Sequence, residues 1–234
     1  MATRRPKQRP WRRYIIALIA LGVLVATAWY WWTMRSWTPS EADYPDQGIA
    51  LAMGQRDVNF PTVRALGGKF VYFAIGPYGA PRDTGLADAM ADARQAGLQI
   101  GAVITFDPCA KADPQSSRFV TMVARDTALL PAAIELETGG ENCPEAVSDA
   151  AIESELMTLI NQIERHSGKP VILKLSRAFE ERYRLSGSLS RDLWVVGDRI
   201  APRYAARPWL LWSANTSRHM ETAAEPVEWV VVQP

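Results

Sequence analysis

Hydrophobic residues occur in this chain first as one long run and then as short runs separated by polar, helix-forming segments. The long run covers residues 14–32 and contains no charged side chain. At about 1.5 Å per residue, a helix of this length spans the roughly 30 Å apolar core of a bilayer. The run ends in four aromatic residues, 29–32, whose rings favour the membrane interface. We therefore predict a transmembrane signal-anchor helix over residues 14–33.

The charge before this run predicts its orientation. Six of the 26 basic residues lie in residues 1–13, which contain no acidic residue. Basic segments stay on the cytoplasmic side of a membrane. We expect a basic cytoplasmic arm over residues 1–13 and the domain beyond the inner membrane, in the periplasm or outside the cell. A signal peptide cleaved after Ala28 is the alternative, and it also exports the domain.

Short apolar runs alternate with helical segments after a polar linker over residues 34–46. The predicted strands are 48–52, 70–75, 98–106, 132–136, 170–175, 193–196, 209–214 and 228–232. The predicted helices are 85–97, 114–128 and 148–168, with a short one near 177–183. Strand–helix alternation predicts a parallel sheet with right-handed crossovers. We therefore expect one α/β domain over residues 47–234, a barrel whose last three strands have no long helices between them.

Charge and composition limit the classes of function. The formal net charge is +1, but the basic excess lies in the first residues, so the domain itself is net acidic. This argues against a nucleic-acid-binding surface. No glycine-rich phosphate loop follows a predicted strand. The two cysteines and two unremarkable histidines do not indicate a structural metal site, so we expect no metal and no cofactor.

Both cysteines follow predicted strands. Cys109 comes after ITFDP, and Cys143 ends the segment GGENC. In an exported domain, two such cysteines favour a disulfide bond. Two unpaired, partly buried thiols are the alternative.

Two acidic residues mark the end of the fourth predicted strand. Glu135 and Glu137 flank Leu136, so they face the same side if the strand continues that far. Parallel α/β barrels have their active sites at the carboxyl ends of the strands. Neighbouring carboxylates repel, so one keeps its proton to higher pH, as glycoside hydrolysis requires. The same spacing is also common on solvated strand edges.

The chain also resembles a known family over most of residues 47–234. The matching segments, in order, are QGIALAMGQRDVNFPTV, GGKFVYFAIGPYG, ADARQAGLQIGAVITF, LPAAIELE, GKPVILKLSRAFEERYRL, DLWVV, PWLLWSA and PVEWVVV. They are similar to the glycoside hydrolase family 25 lysozymes, which cleave the glycan strands of peptidoglycan. The resemblance implies a modified TIM-type barrel of five βα units plus three further strands, with peptidoglycan as the partner. Cys109 and Cys143 fall where some exported members have a cysteine pair.

The resemblance implies catalytic roles for three carboxylates. Glu137 matches the family's proton-donating Glu, while Glu135 and Glu228 stand where the family has Asp. Ala50 stands where the family has another Asp, so one carboxylate is missing. In the family, the N-acetyl group of the substrate assists the reaction, so a second protein nucleophile is not required. The segment AIGPYG, residues 74–79, also replaces a polar turn that contains Lys, Thr and Glu.

Three further residues are candidates for substrate binding. Trp212 lies in a predicted strand and offers an aromatic face on which a sugar can stack. Tyr78 lies in the turn after the second strand. Asp83 matches an acidic position of the family, although a charge at a helix N-terminus explains it equally well.

Two functions follow from these residues. The first is a membrane-anchored, lysozyme-like hydrolase of peptidoglycan glycan strands whose activity is impaired by Ala50. The second is a non-catalytic peptidoglycan-binding or envelope scaffold protein on the same fold. A weaker third hypothesis is a partner protein of a cell-wall complex that uses its single span for assembly.

Overall fold

The computed structural model describes residues 10–221 and 223–234, which form two units that divide after Trp37. The first unit contains one helix, α1 (Pro10–Arg35). Its segment Arg13–Arg35 is long and apolar enough to cross a membrane, with a mean hydropathy of 2.0 and no buried residues. Signal sequences meet the same criteria. Of the predicted basic arm, residues 1–9 lie outside the described residues.

The second unit, Thr38–Pro234, contains a closed barrel in which neighbouring strands follow sequence order. The strands are β1 (Gln47–Leu51), β2 (Gly68–Ala74), β3 (Gln99–Thr105), β4 (Ala133–Leu136), β5 (Ile172–Leu175), β6 (Asp192–Val196), β7 (Leu211–Arg218) and β8 (Val227–Val232). Strands β1 to β7 pair in parallel, and β8 closes the barrel antiparallel to both β7 and β1. The predicted α/β barrel is confirmed.

The helices lie between the strands in the first part of the barrel. They are α2 (Phe60–Ala65), α3 (Leu86–Gln95), α4 (Ala112–Met122), α5 (Asp149–Ser167), α6 (Arg177–Tyr183) and α7 (Leu185–Ser188), with a short 3-10 turn at Gly140–Asn142. The predicted ends of α5 are confirmed. Ser148 accepts a hydrogen bond from the Ala151 backbone N–H, and Gly168 ends the helix with φ 72°.

Helix α4 is shorter than predicted, and the short helices α2 and α7 lie outside the predicted helices. Helix α4 ends at Met122 rather than near residue 128, because Val123 is extended and its carbonyl bonds His166 Nε2 at 2.8 Å. Helix α2 was not predicted, since six residues are too few to establish a helical period. Its N-cap is Asn59, whose side chain accepts from the Thr62 N–H.

Large apolar side chains fill the lower part of the barrel lumen. The inward cluster comprises Ala50, Phe70, Tyr72, Val103, Ala133, Ile172, Trp194, Leu211 and Val230. The rings of Tyr72 and Trp194 meet edge to face at 5.0 Å. Gly101 faces the Tyr72 ring so closely that an added Cβ would lie 2.2 Å from it. This packing closes the lumen below and leaves a cavity at the carboxyl ends of the strands.

Candidate functional site

Polar side chains occupy the inward positions directly above the apolar cluster. Because alternate strand residues face the same side, Glu135 follows inward Ala133 and Lys174 follows inward Ile172. Strand β8 runs the opposite way, so Glu228 reaches the same level from the start of that strand. The lumen at this level contains both carboxylates and one ammonium group.

These side chains form part of a cavity of about 300 Å³. Its lining includes Ala50, Ala74, Met53, Pro77 and Val103 as apolar walls, and Gln55, Thr105, Thr216, Glu135, Lys174 and Glu228 as polar groups. The cavity opens at the carboxyl ends of the strands, where barrel enzymes bind their substrates. It therefore combines an apolar wall with a charged floor.

Lys174 is the central charge of this floor. Its Nζ lies 2.9 Å from Glu135 Oε1 and 2.8 Å from Glu228 Oε2, and it sits 4.9 Å from the centre of the Trp194 ring. The residue is only 8% exposed. Strand β4 is a direct neighbour of β5, whereas β8 is not, so the Lys174 side chain crosses the lumen to reach Glu228.

Hydroxyl groups hold the remaining carboxylate oxygens. Thr105 Oγ1 donates to Glu135 Oε2 at 2.9 Å. Ser213 Oγ donates to Glu228 Oε1 and itself accepts from Trp194 Nε1 at 2.7 Å. Each carboxylate therefore has one charged and one neutral donor, which fixes its position on the cavity floor.

Burial and charge act in opposite directions on these groups. Burial alone would raise the pKa of Glu135, but the Lys174 charge and the hydrogen bonds from Lys174 and Thr105 bring that pKa below its usual value. Burial alone would lower the pKa of Lys174, yet the carboxylates of Glu228 and Glu135 raise it. At neutral pH Lys174 is therefore an ammonium ion and Glu135 a carboxylate.

Glu137 lies at the rim, outside this network. Strand β4 ends at Leu136, so Glu137 is one residue beyond the strand and is exposed. Its carbonyl accepts from Ser176 Oγ at 2.9 Å. Within the described part of the chain, its carboxylate has no hydrogen-bond or ion-pair partner. The fold thus brings Glu135 and Glu228 together and leaves Glu137 accessible to a proton acceptor at the mouth of the barrel.

A disulfide bond braces the segment that follows Glu137. Cys109 and Cys143 are bonded, which confirms the predicted pairing, with their Cα atoms 5.3 Å apart. The bond connects the β3–α4 loop to the 3-10 turn after β4. Gly140 N–H also donates to the Tyr183 hydroxyl at 3.2 Å. Two loops at the carboxyl face of the barrel are therefore linked beside the rim.

Trp212 does not reach the cavity. It is 3% exposed, and it lies on the face of β7 opposite inward Ser213. Its Nε1 donates to the Gly197 carbonyl at 2.6 Å, and its ring contacts Tyr44 at 5.8 Å and Trp209 at 6.0 Å. A sugar can stack on this ring only if those neighbours move.

The other two substrate-binding candidates lie in the β2–α3 loop. Tyr78 is 49% exposed, next to Pro77 of the cavity wall. Asp83 forms an ion pair with Arg56 and accepts from the Gly85 N–H at 3.2 Å. Arg118 braces this loop by donating to the Ile75 carbonyl at 2.8 Å and to the Ala80 carbonyl at 2.7 Å.

Sequence reasoning missed Lys174 and its hydroxyl partners. The signal was present, because Lys174 is the one charged residue inside the apolar segment PVILKL. A lysine at an inward position of a buried strand requires a carboxylate nearby. Among the described residues, no group of three or more His, Cys, Asp or Glu side chains could hold a metal ion.

Comparison with known proteins identifies the family. Residues 49–217 match the sequence profile described as "Glycosyl hydrolases family 25". A search of curated proteins found no match.

Solved structures with the same fold have low sequence identity to this chain. A family 25 glycosyl hydrolase from Bacillus anthracis has a TM-score of 0.74 and 19% identity, covering 84% of this chain and 92% of its own. A bacterial lysozyme from Streptomyces coelicolor has a TM-score of 0.71 and 17% identity, covering 81% and 92%. A family GH25 lysozyme from Aspergillus fumigatus has a TM-score of 0.66 and 16% identity, covering 81% and 94%.

Proposed function

Because the chain belongs to glycosyl hydrolase family 25, we propose that it is a lysozyme-like hydrolase of peptidoglycan glycan strands, anchored in the inner membrane by α1. The observation that carries the activity is the position of Glu135 and Glu228 on the floor of an open cavity, with the exposed Glu137 directly after the carboxyl end of β4. The cavity volume of about 300 Å³ accommodates part of a glycan chain.

Each carboxylate has a separate role in this reaction. Glu137 gives its proton to the glycosidic oxygen as the bond to the anomeric carbon breaks. The N-acetyl oxygen of the same sugar bonds to that carbon. Water then attacks the carbon as its bond to the N-acetyl oxygen breaks, and a proton of the water returns to Glu137. The carboxylates of Glu135 and Glu228 face the positive charge that develops on the sugar and stabilise it. Tyr78 and Asp83 of the β2–α3 loop stay proposed substrate-binding residues, whereas Trp212 could bind a sugar only if Tyr44 and Trp209 moved away from its ring.

The experiment that tests this function is digestion of purified peptidoglycan by the full-length protein in detergent. We expect release of new reducing ends, and mass spectrometry of the fragments to identify N-acetylmuramic acid at those ends. Fragments that end in N-acetylglucosamine would reject a muramidase, and the absence of any release would reject a hydrolase.

Activity is expected to be reduced because β1 contributes no carboxylate. Ala50 pairs directly with Glu228 in the β1–β8 ladder and lines the cavity with a methyl group only. Ala50→Asp should therefore raise the rate of reducing-end release by about tenfold or more, since it adds negative charge near the anomeric centre. The rates of the two proteins are compared on the same peptidoglycan, and an unchanged or lower rate would contradict this explanation.

Membrane anchoring is supported by the length and hydropathy of α1. We expect the mature protein to retain Ala28 and to remain in the membrane fraction after washing with carbonate at high pH. N-terminal sequencing of the mature protein measures this directly. A mature N-terminus after Ala28, together with recovery in the soluble fraction, would instead indicate a cleaved signal peptide.

A second candidate function is a non-catalytic peptidoglycan-binding or scaffold protein. The observation that favours it is the charge balance of the floor, since Ala50 supplies no carboxylate and Lys174 pairs with the two that are present. The digestion experiment distinguishes the two functions. A scaffold protein co-sediments with insoluble peptidoglycan without releasing reducing ends.

A further inference from the structure

The most unusual side chain in the barrel is a buried lysine that bridges two carboxylates across the lumen. Removing an ammonium ion from water costs several kcal/mol unless it is fully paired. Lys174 is fully paired, with Glu135 on the neighbouring strand, Glu228 on the far side of the lumen and the Trp194 ring beneath it. These ion pairs fix the distance between β5 and β8, two strands that are not hydrogen-bonded to each other.

We propose that Lys174 is a positioning residue of the active site, which holds Glu135 and Glu228 as a fixed anion–cation–anion array on the cavity floor. This inference rests on the proposed function for its catalytic consequence only. With both floor carboxylates paired to Lys174, neither is available as the proton donor. The acid role is therefore confined to Glu137, which has no partner among the described side chains.

The consequence of losing Lys174 follows from electrostatics. Two carboxylates that face each other without a cation repel, and one of them takes up a proton at higher pH. The floor of that variant would then lose negative charge at a higher pH than the wild-type floor does. Lys174 prevents this change, because its positive charge keeps both floor carboxylates ionised.

Few other groups around Lys174 titrate. Strands β3 and β7 contribute the hydroxyls of Thr105 and Ser213, and β1 contributes Ala50. Tyr72 lies against Trp194, and the Tyr204 hydroxyl donates to the Leu175 carbonyl at 2.6 Å. Burial raises the pKa of both tyrosines, so neither changes charge below pH 8. Glu135 and Glu228 are therefore the charged side chains in contact with Lys174.

The contribution of the Lys174–Glu135 pair to the stability of the fold depends on pH. The pKa of Glu135 is lowered by folding, so its contribution is present above the unfolded value near 4.5 and is lost as the pH falls through the folded value. Removing Lys174 reverses this, because an unpaired carboxylate pair is least favourable when both groups are charged. The stability difference between the two proteins should therefore be largest at neutral pH and shrink on acidification.

The test is the melting temperature of full-length Lys174→Met, measured in detergent by calorimetry from pH 3.5 to 8 beside wild type and Lys174→Arg. We expect Lys174→Met to melt about 10 °C below wild type at pH 7 and to approach it near pH 4. Lys174→Arg, which keeps the charge, should retain the wild-type pH dependence even if it melts lower. A constant difference between Lys174→Met and wild type at every pH would overturn the proposal.

A second variant covers the case in which Lys174→Met does not fold. Lys174→Met/Glu228→Gln leaves a single floor carboxylate, so it should fold and melt higher at pH 7 than Lys174→Met. If the double variant is no more stable at pH 7, repulsion between the carboxylates is not the cause and the proposal fails. These measurements need no hydrolysis, so an inactive wild-type protein would reject the proposed function and leave this test intact.

The catalytic consequence has its own readout. In the wild type, the acidic limb of the pH–rate profile should lie at low pH, because the pKa of Glu135 is below its usual value. In Lys174→Met that limb should move to higher pH, and Lys174→Arg should restore it. A profile that only scales down in rate, without moving, would indicate a purely structural role.

Discussion

Glu137→Gln should lower the rate of peptidoglycan hydrolysis by about 10²- to 10⁴-fold, because it removes the proton donor while keeping the shape of the side chain. The carboxylate is exposed, and no described residue pairs with it, so its loss should not change the fold. We expect the melting temperature and the binding of peptidoglycan to stay at wild-type values. The measurement is reducing-end release under conditions of substrate excess.

The matched control is Glu145→Gln, which makes the same chemical change at another exposed residue of the same loop region. Glu145 lies after the 3-10 turn and outside the cavity lining. The Glu145→Gln protein should therefore hydrolyse peptidoglycan at the wild-type rate. A Glu137→Gln protein that hydrolyses peptidoglycan at the wild-type rate would show that another group donates the proton. Equal losses in both variants would point to a general charge effect of the loop.

Replacing both Cys109 and Cys143 with Ala should lower the free energy of unfolding by about 4 kcal/mol. The bond closes a loop across a sequence separation of 34 residues. Removing it increases the entropy of the unfolded chain, which lowers the free energy of the unfolded state by about 4 kcal/mol. For a domain of this size the melting temperature should fall by about 8–16 °C. Calorimetry or urea unfolding of the two proteins measures the change.

Reduction of the wild type with dithiothreitol provides the control, because it breaks the same bond without altering the side chains. Cys109 is exposed and Cys143 half-buried, so the substitutions remove little packing, and both treatments should give similar shifts. Activity should fall as well, since the bond restrains the segment that follows Glu137. If neither treatment changes the melting temperature, the bond does not stabilise the fold.

Much of the barrel could be predicted from the sequence because its strands are short and apolar between polar helices. The ends of α5 were evident from Ser148 and Gly168, which act through local hydrogen bonds and backbone conformation. Local signals of this kind do not depend on the rest of the fold. The extent of α4 was not predictable in the same way, because a contact with His166 ends it and that residue lies 43 positions further along the chain.

The candidate site shows the same division. The acidic pair Glu135 and Glu137 was visible as a spacing, but whether both face the lumen depends on where β4 ends, and it ends between them. Trp212 was expected to stack on sugar, yet the register of β7 turns Ser213 inward and Trp212 outward. A shift of one residue in register reverses every side chain of a strand, and pairing with both neighbours sets that register.

By itself, the sequence determined the apolar N-terminal helix, the order of strands and helices, the family and the presence of carboxylates at strand ends. The helix, the order of the elements and the carboxylates follow from local composition and periodicity, whereas the family follows from the resemblance of the ordered segments to its members. Only the tertiary structure decided that Lys174 meets Glu228 across the lumen, 54 residues apart in sequence, because that distance exists only once the sheet has closed. Closure of the barrel brings Lys174 and Glu228 into an ion pair on the cavity floor. Glu137 stays exposed after the end of β4.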